Sequence, residues 1–166
     1  MSDETSQQQA TMEQKINEMV QQFRILEAYM NDIISREATL TRLMEEAHLA
    51  STAVQNIISE SEVESFMPVG IGVYIKALVP PAKKLLVNVG AGVTIEKSRE
   101  DIINYIESKI KEFEIALRQL TNQKQQLAMR MDQVQGQINQ LLQQSRAQLQ
   151  QPREHTHDSG RQPHSS

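Results

Sequence analysis

The feature that most constrains the fold is a heptad repeat of apolar residues, which occurs in two long runs separated by a different kind of segment. In the first run, from Met12 to Ile58, two positions of each heptad are apolar except at Glu37 and Ser51. In the second run, from Ile103 to Leu141, the equivalent positions are apolar except at Lys124. This pattern is typical of coiled coils, in which a helix buries its apolar stripe against a partner helix.

Local signals suggest where the two helices begin. The sequence TMEQ, from Thr11 to Gln14, has the spacing of a capping box, and Ser98 is followed by an acid three residues later. At about 1.5 Å per residue, each helix would be on the order of 60–75 Å long. A stripe of that length needs a partner helix throughout, so we expect the two helices to fold back on each other as an antiparallel coiled coil.

One register of this coiled coil brings the charged seam residues together. It pairs apolar seam positions across the central segment: Ile58 with Ile103, Met44 with Leu117 and Phe23 with Ile138. The same register places Glu37 opposite Lys124. Opposite charges in an apolar seam would fix the register, although desolvation offsets much of their attraction. The alternative is that each side chain reaches solvent separately.

Between the heptad runs, residues 66–96 are rich in Val, Ile and Leu and favour β-strands. This segment contains a repeat, VGIGVYIK from Val69 and VGAGVTIE from Val89. Gly-X-Gly also occurs in loops that bind nucleotide phosphates, but such a loop opens a helix. Each Gly-X-Gly here leads into another strand-like run, so we interpret both as hairpin turns, in which glycine accepts the required positive φ.

Two hairpins joined through Pro80 and Pro81 have too few strands to shield both faces of a sheet. Their free edges and apolar faces predict assembly with other chains. The residues expected to mediate this oligomerisation are Val69, Gly70, Gly72, Val73, Ile75, Val87, Val89, Gly90, Gly92, Val93 and Ile95.

The helix ends farthest from the hairpins form a second candidate surface, for contacts with other molecules. Gly136, Ser145 and Gln148 weaken the coil there, so apolar side chains would become exposed. The candidate residues are Met12, Ile16, Met19, Val20, Ile138, Leu141, Leu142 and Leu149. Methionine suits adaptable contacts with varied partners. The alternative is that these side chains simply fill the seam.

Composition argues against several other classes of function. The chain has no Cys, so thiolate metal sites and Cys nucleophiles are excluded, and its net charge of −4 gives no reason to expect nucleic-acid binding. No catalytic constellation stands out, and we expect neither an enzyme nor a cofactor. His155, His157 and His164 could bind a metal weakly, but a solvated tail is the simpler interpretation. Without a signal peptide or membrane span, the expected location is the cytoplasm.

The two heptad runs with PVGIGVYIKA and LLVNVGAGVTIEKS between them resemble the alpha-class subunit of prefoldin in its archaeal form, from Met12 to Leu149. The resemblance implies an α+β fold: a long antiparallel two-helix coiled coil with two central β-hairpins that join an inter-subunit β-barrel. It implies a hetero-hexamer of two alpha and four beta subunits. Such a complex holds unfolded proteins at its coiled-coil tips without ATP and delivers them to a group II chaperonin.

The competing interpretation is a coiled-coil scaffold or a prefoldin-like regulatory or tethering subunit that binds folded partners. In either case the sequence predicts the same five segments. They are a disordered N-terminus (residues 1–10), an N-terminal helix (11–64), two hairpins (65–97), a C-terminal helix (98–150) and a disordered polar tail (151–166).

Overall fold

The computed structural model describes residues 2–56 and 61–150, which form two long helices and two β-hairpins. In chain order the elements are α1 (Ser2–Asn56), β1 (Val63–Gly70), β2 (Val73–Val79), β3 (Lys84–Gly90), β4 (Val93–Ser98) and α2 (Arg99–Leu149). The α+β class, with two helices flanking two hairpins, is therefore confirmed. Neither helix, over its described residues, has a stretch apolar enough to cross a membrane.

The chain divides into two compact units, and both helices contribute to each of them. The terminal unit consists of the residues up to Tyr29 and those from Leu127 onwards. The hairpin unit runs from Met30 to Gln126 and contains all four strands. Each unit is described separately below.

The heptad positions form the buried side of both helices. Every described seam position of α1 and α2 is buried or half-buried, including the polar residues Glu37, Ser51 and Lys124. In the hairpin unit, Ile102, Ile106 and Ile110 form a buried cluster. From α1, this cluster contacts Met44, Ala47 and Val54. The predicted pairing of Ile58 with Ile103 lies outside the described residues.

The start of the first helix differs from the prediction. α1 begins at Ser2 rather than Thr11, and the Thr11 hydroxyl donates a hydrogen bond to the Gln7 carbonyl one turn earlier. The preceding residues contain neither Gly nor Pro, and the acids Asp3 and Glu4 occupy the first turn, where the helix dipole favours them. The expectation of a disordered segment over residues 1–10 is thus replaced by helix from Ser2 onwards.

The Gly-X-Gly segments are hairpin turns. β1 pairs with β2 and β3 pairs with β4, both antiparallel, and each pair is a separate two-stranded sheet. In the first hairpin, the turn residues Ile71 and Gly72 both have positive φ, 52° and 75°, as a type I′ turn requires. The second hairpin repeats this geometry at Ala91 and Gly92, and neither turn opens a helix.

Candidate functional site

The first hairpin exposes apolar side chains on both of its faces. Met67 pairs with Ile75 on one face, and the two side chains are 57% and 54% exposed. Pro68 pairs with Tyr74 on the other face, where Phe66 is also exposed. Two cross-strand pairs on opposite faces therefore offer apolar contact surface to other molecules.

The second hairpin uses one face to pack against the helices. Leu85 and Val87 are half-buried against the cluster of Ile102, Ile106 and Ile110. On the opposite face, Asn88 pairs with Thr94 and Leu86 pairs with Glu96, so that face is mainly polar. This hairpin is held to the coiled coil through its apolar face.

Most of the side chains predicted to mediate assembly lie at the surface. The exposed members are Val69, Val73, Ile75, Val89, Val93 and Ile95. Val87 is the exception, because it packs against the helix cluster. Both hairpins carry a strand irregularity next to the turn, between Pro68 and Gly70 and between Asn88 and Gly90.

Ile71 is a surface feature that the glycine pattern did not predict. This β-branched residue occupies the left-handed region with φ 52°, which is a strained conformation for its side chain. It is fully exposed at the end of the first hairpin. The sequence argument assigned a positive φ only to the glycines, so it did not single out Ile71. The backbone geometry does.

The first residue of α2, Arg99, caps the last turn of α1. The Arg99 guanidinium donates hydrogen bonds to the carbonyl oxygen of Val54, at 3.1 Å, and to that of Gln55. These carbonyls belong to the last turn of α1, which has no basic residue of its own. The predicted Ser98 cap is present beside this contact, where the Ser98 hydroxyl oxygen accepts a hydrogen bond from the Asp101 amide at 3.2 Å.

Lys124 and Glu37 meet in the seam of the hairpin unit. Lys124 Nζ lies 2.7 Å from Glu37 Oε2, and the Glu37 side chain is only 17% exposed. The Thr121 hydroxyl lies 3.5 Å from the other carboxylate oxygen, to which it donates a hydrogen bond. Both oxygens of a largely buried carboxylate therefore have a donor.

Two lysines lie near the ring of Tyr105, where the second hairpin meets α2. The ammonium groups of Lys97 and Lys109 are 5.8 Å and 5.7 Å from the centre of the Tyr105 ring, within cation–π range. The pKa of Lys109 is raised above its ordinary value, chiefly by its hydrogen bond to Glu112. This hydrogen bond thus favours the charged form of Lys109.

In the terminal unit, the predicted apolar capture residues divide into two groups. Met12, Ile16, Met19, Val20 and Leu141 are half-buried, and Ile138 is buried at 6% exposure. Leu142 and Leu149 are exposed. The helices thus enclose most of this apolar surface, as expected of seam residues, and α2 continues without a break through Gly136.

A groove lies between the two helices of the terminal unit. Its apolar floor contains Met12 and Leu141, and the rest of its lining is polar: Glu4, Gln7, Gln8, Thr11, Lys15, Gln144 and Gln148. Among the described residues, no cluster of three or more His, Cys, Asp or Glu side chains could hold a metal ion, and the tail histidines lie outside those residues.

Comparison with known proteins shows to which family the chain belongs. The family model for the prefoldin subunit matches residues 12–144. The chain belongs to the prefoldin family. It is 33% identical to the prefoldin subunit alpha of Nitrosopumilus maritimus, over 70% of this chain and 80% of that relative.

Two solved prefoldin structures share the fold. A chain of filamentous prefoldin from Methanocaldococcus jannaschii matches 73% of this chain and 98% of its own length, with a TM-score of 0.58 and 18% identity. The prefoldin beta subunit from Thermococcus strain KS-1 matches 83% of this chain and 95% of its own, with a TM-score of 0.52 and 14% identity. Members of the prefoldin family are chaperone subunits, which agrees with the resemblance seen in the sequence.

Proposed function

We propose that this chain is the alpha-class subunit of a cytoplasmic prefoldin complex with two alpha and four beta subunits. The complex holds unfolded polypeptides without ATP and passes them to a group II chaperonin. In this proposal the subunit has no catalytic activity and needs no cofactor. Membership of the prefoldin family, together with similarity to archaeal alpha subunits, supports it.

The observation that carries the proposal is the exposed apolar surface of the hairpins. Hairpin 1, formed by β1 and β2, has apolar side chains exposed on both faces, and neither two-stranded sheet is completed by the other. Exposed apolar faces and free strand edges favour association with another chain. In the proposal, beta-class subunits and a second alpha subunit supply the missing strands and close the β-barrel.

Capture of unfolded chains is assigned to the terminal unit. Leu142 and Leu149 offer exposed apolar contacts, and the half-buried residues of the same end become available where the helices separate. Several such arms in one complex would combine weak contacts through multivalency. The assembly surface and the capture surface are therefore carried by different parts of the chain.

The test compares an intact complex with one whose alpha subunit is shortened. The shortened chain begins after Met19 and ends before Ile138, which removes the capture residues other than Val20 but keeps both hairpins and the Glu37–Lys124 pair. A control chain lacks only residues 151–166. Each is co-expressed with a beta-class subunit, the assembly is checked by native mass spectrometry, and light scattering follows aggregation of a chemically unfolded protein.

We expect all three complexes to assemble, and the shortened one to lose most of its protection against aggregation. Equal protection by the intact and shortened complexes would place substrate binding elsewhere, between the arms. An intact complex that assembles but protects no unfolded protein would contradict the holdase proposal. That result would favour the scaffold interpretation instead.

A further inference from the structure

The groove of the terminal unit has an unusually amide-rich lining. Four of its residues are glutamines, two from α1 (Gln7 and Gln8) and two from α2 (Gln144 and Gln148), and all four are exposed. Met12 and Leu141 lie between them as a half-buried apolar strip. The groove is an open depression with a volume of about 740 Å³.

A second groove continues this lining. It shares Lys15, Leu141 and Gln144 with the first groove and adds three more glutamines: Gln22, Gln137 and Gln140. Its volume is about 340 Å³. The two grooves together form a contiguous amide-lined surface along one end of the helix pair.

The side chains of the groove glutamines donate no hydrogen bond within the described helices. The glutamine side chains that donate hydrogen bonds within the described helices are those of Gln14, Gln55 and Gln135, and none of these lines either groove. Each glutamine side chain offers two donors and a carbonyl acceptor. The amides of the grooves are therefore available to an outside molecule.

The chemistry of this lining matches the backbone of an extended polypeptide. A peptide unit presents one N–H donor and one C=O acceptor per residue, and a side-chain amide can satisfy both. Charge contributes little selectivity in the first groove, because Glu4 and Lys15 carry opposite signs. A surface that hydrogen-bonds to backbone amides would bind chains of many sequences. Their backbone N–H and C=O groups must only be free of hydrogen bonds within secondary structure.

We propose that the amide-lined grooves bind the backbone of extended, unfolded polypeptide through glutamine hydrogen bonds, in addition to apolar contacts. The proposal rests on the holdase function and names the chemical basis of its substrate recognition. Folded proteins would be excluded because their backbone groups are already hydrogen-bonded. The exposed glutamines thereby become specificity-determining residues.

Glutamine-to-methionine substitution separates this proposal from capture by apolar contacts alone. Methionine is similar to glutamine in length and helix propensity, but it lacks the amide and adds apolar surface. The test variant carries Gln7→Met, Gln8→Met, Gln144→Met and Gln148→Met. Its matched control carries Gln21→Met, Gln125→Met, Gln126→Met and Gln133→Met, at exposed helix positions outside both grooves.

The probe is a fluorescein-labelled peptide of 20 alternating Ala and Ser residues, which has little apolar surface to bind. Fluorescence anisotropy measures its binding to the assembled complexes, with circular dichroism verifying that the helices are intact. We expect the groove variant to bind the peptide at least about tenfold more weakly than the parent complex. The control variant should match the parent. Equal or tighter binding by the groove variant would overturn the proposal.

A second peptide tests whether the backbone is the group recognised. In this version, alternate backbone nitrogens are methylated, which removes donors without changing the side chains. We expect its binding to the parent complex to fall by a similar factor, and unchanged binding would contradict the inference. A parent complex that suppresses aggregation but does not bind the unmethylated peptide would overturn the inference and leave the proposed function intact. A parent complex that fails to suppress aggregation contradicts the proposed function itself.

Discussion

Nζ of Lys124 lies 2.7 Å from Oε2 of Glu37, so one lysine of α2 contacts one glutamate of α1 within a seam that is mainly apolar. The register proposed from the sequence placed these two residues opposite each other. A pair in this setting discriminates between registers, because any other pairing leaves a charge against apolar side chains. We therefore expect the pair to favour this register over its alternatives.

Charge reversal tests that role. Glu37→Lys and Lys124→Glu should each lower the free energy of unfolding, and the double variant should recover part of the loss. Since Glu37 is largely buried and Lys124 is 40% exposed, we expect a coupling energy of about 1–2 kcal/mol in a double-mutant cycle. The exposed Asp32–Arg36 pair, 3.0 Å apart on one helix, is the control, with an expected coupling below about 0.5 kcal/mol. Equal coupling for the two pairs would argue against a register role.

Replacing Arg99 should loosen the junction of the two helices. Arg99→Met keeps much of the aliphatic chain but removes the donors to the carbonyls of Val54 and Gln55. We expect a loss of about 1–2 kcal/mol in the free energy of unfolding, measured by thermal or chemical denaturation. Arg118→Met, at an exposed position of α2, provides the control and should have little effect. Hydrogen exchange should also become faster near Asn56 in the Arg99 variant and not in the control.

Polar substitution on one face of the first hairpin should disrupt assembly. Met67→Thr with Ile75→Thr removes an exposed apolar pair while keeping side chains compatible with a strand. We expect the helical circular dichroism to persist and the complex with beta-class subunits to dissociate in size-exclusion chromatography. Lys84→Thr with Glu96→Thr, on the mainly polar face of the second hairpin, is the control. Co-elution of the Met67/Ile75 variant as a full complex would refute the assignment.

Gly136→Ala should stabilise the terminal unit. The glycine lies within α2, and a Cβ placed there meets nothing within 4 Å. Alanine is favoured over glycine in a helix interior by about 0.8–1 kcal/mol, so the melting temperature should rise. Ala128→Gly, at an exposed position of the same helix, should lower it by a similar amount. A destabilising Gly136→Ala would contradict this prediction.

The sequence predicted the helices and hairpins well because their signals are local and periodic. Heptad spacing identified the buried side of each helix, and Gly-X-Gly located the two turns. The start of α1 was placed too late because TMEQ has capping-box spacing, although the residues before it are also compatible with a helix. The spacing of TMEQ is the same whether Thr11 caps a helix or lies inside one, so the spacing cannot decide where the helix begins.

Contacts between distant segments were predictable only where the heptad register fixed them, as for Glu37 and Lys124. Arg99 reaches carbonyls more than forty residues earlier in the chain, and nothing in its local sequence indicates this. Both hairpins carry apolar side chains, yet only Leu85 and Val87 of the second pack on the helix cluster. At the helix ends, the heptad identified Ile138 as apolar but could not distinguish an exposed contact residue from the buried seam residue that it is.

The exposed first hairpin and the two separate two-stranded sheets have a consequence for how the protein must be produced. A newly made subunit presents unpaired strand edges and exposed side chains such as Phe66 and Tyr74 until partner chains arrive. During that interval it resembles the aggregation-prone clients that chaperones protect. We therefore expect an orphan subunit to be short-lived in the cell, with its abundance limited by the supply of its partners rather than by its own rate of synthesis.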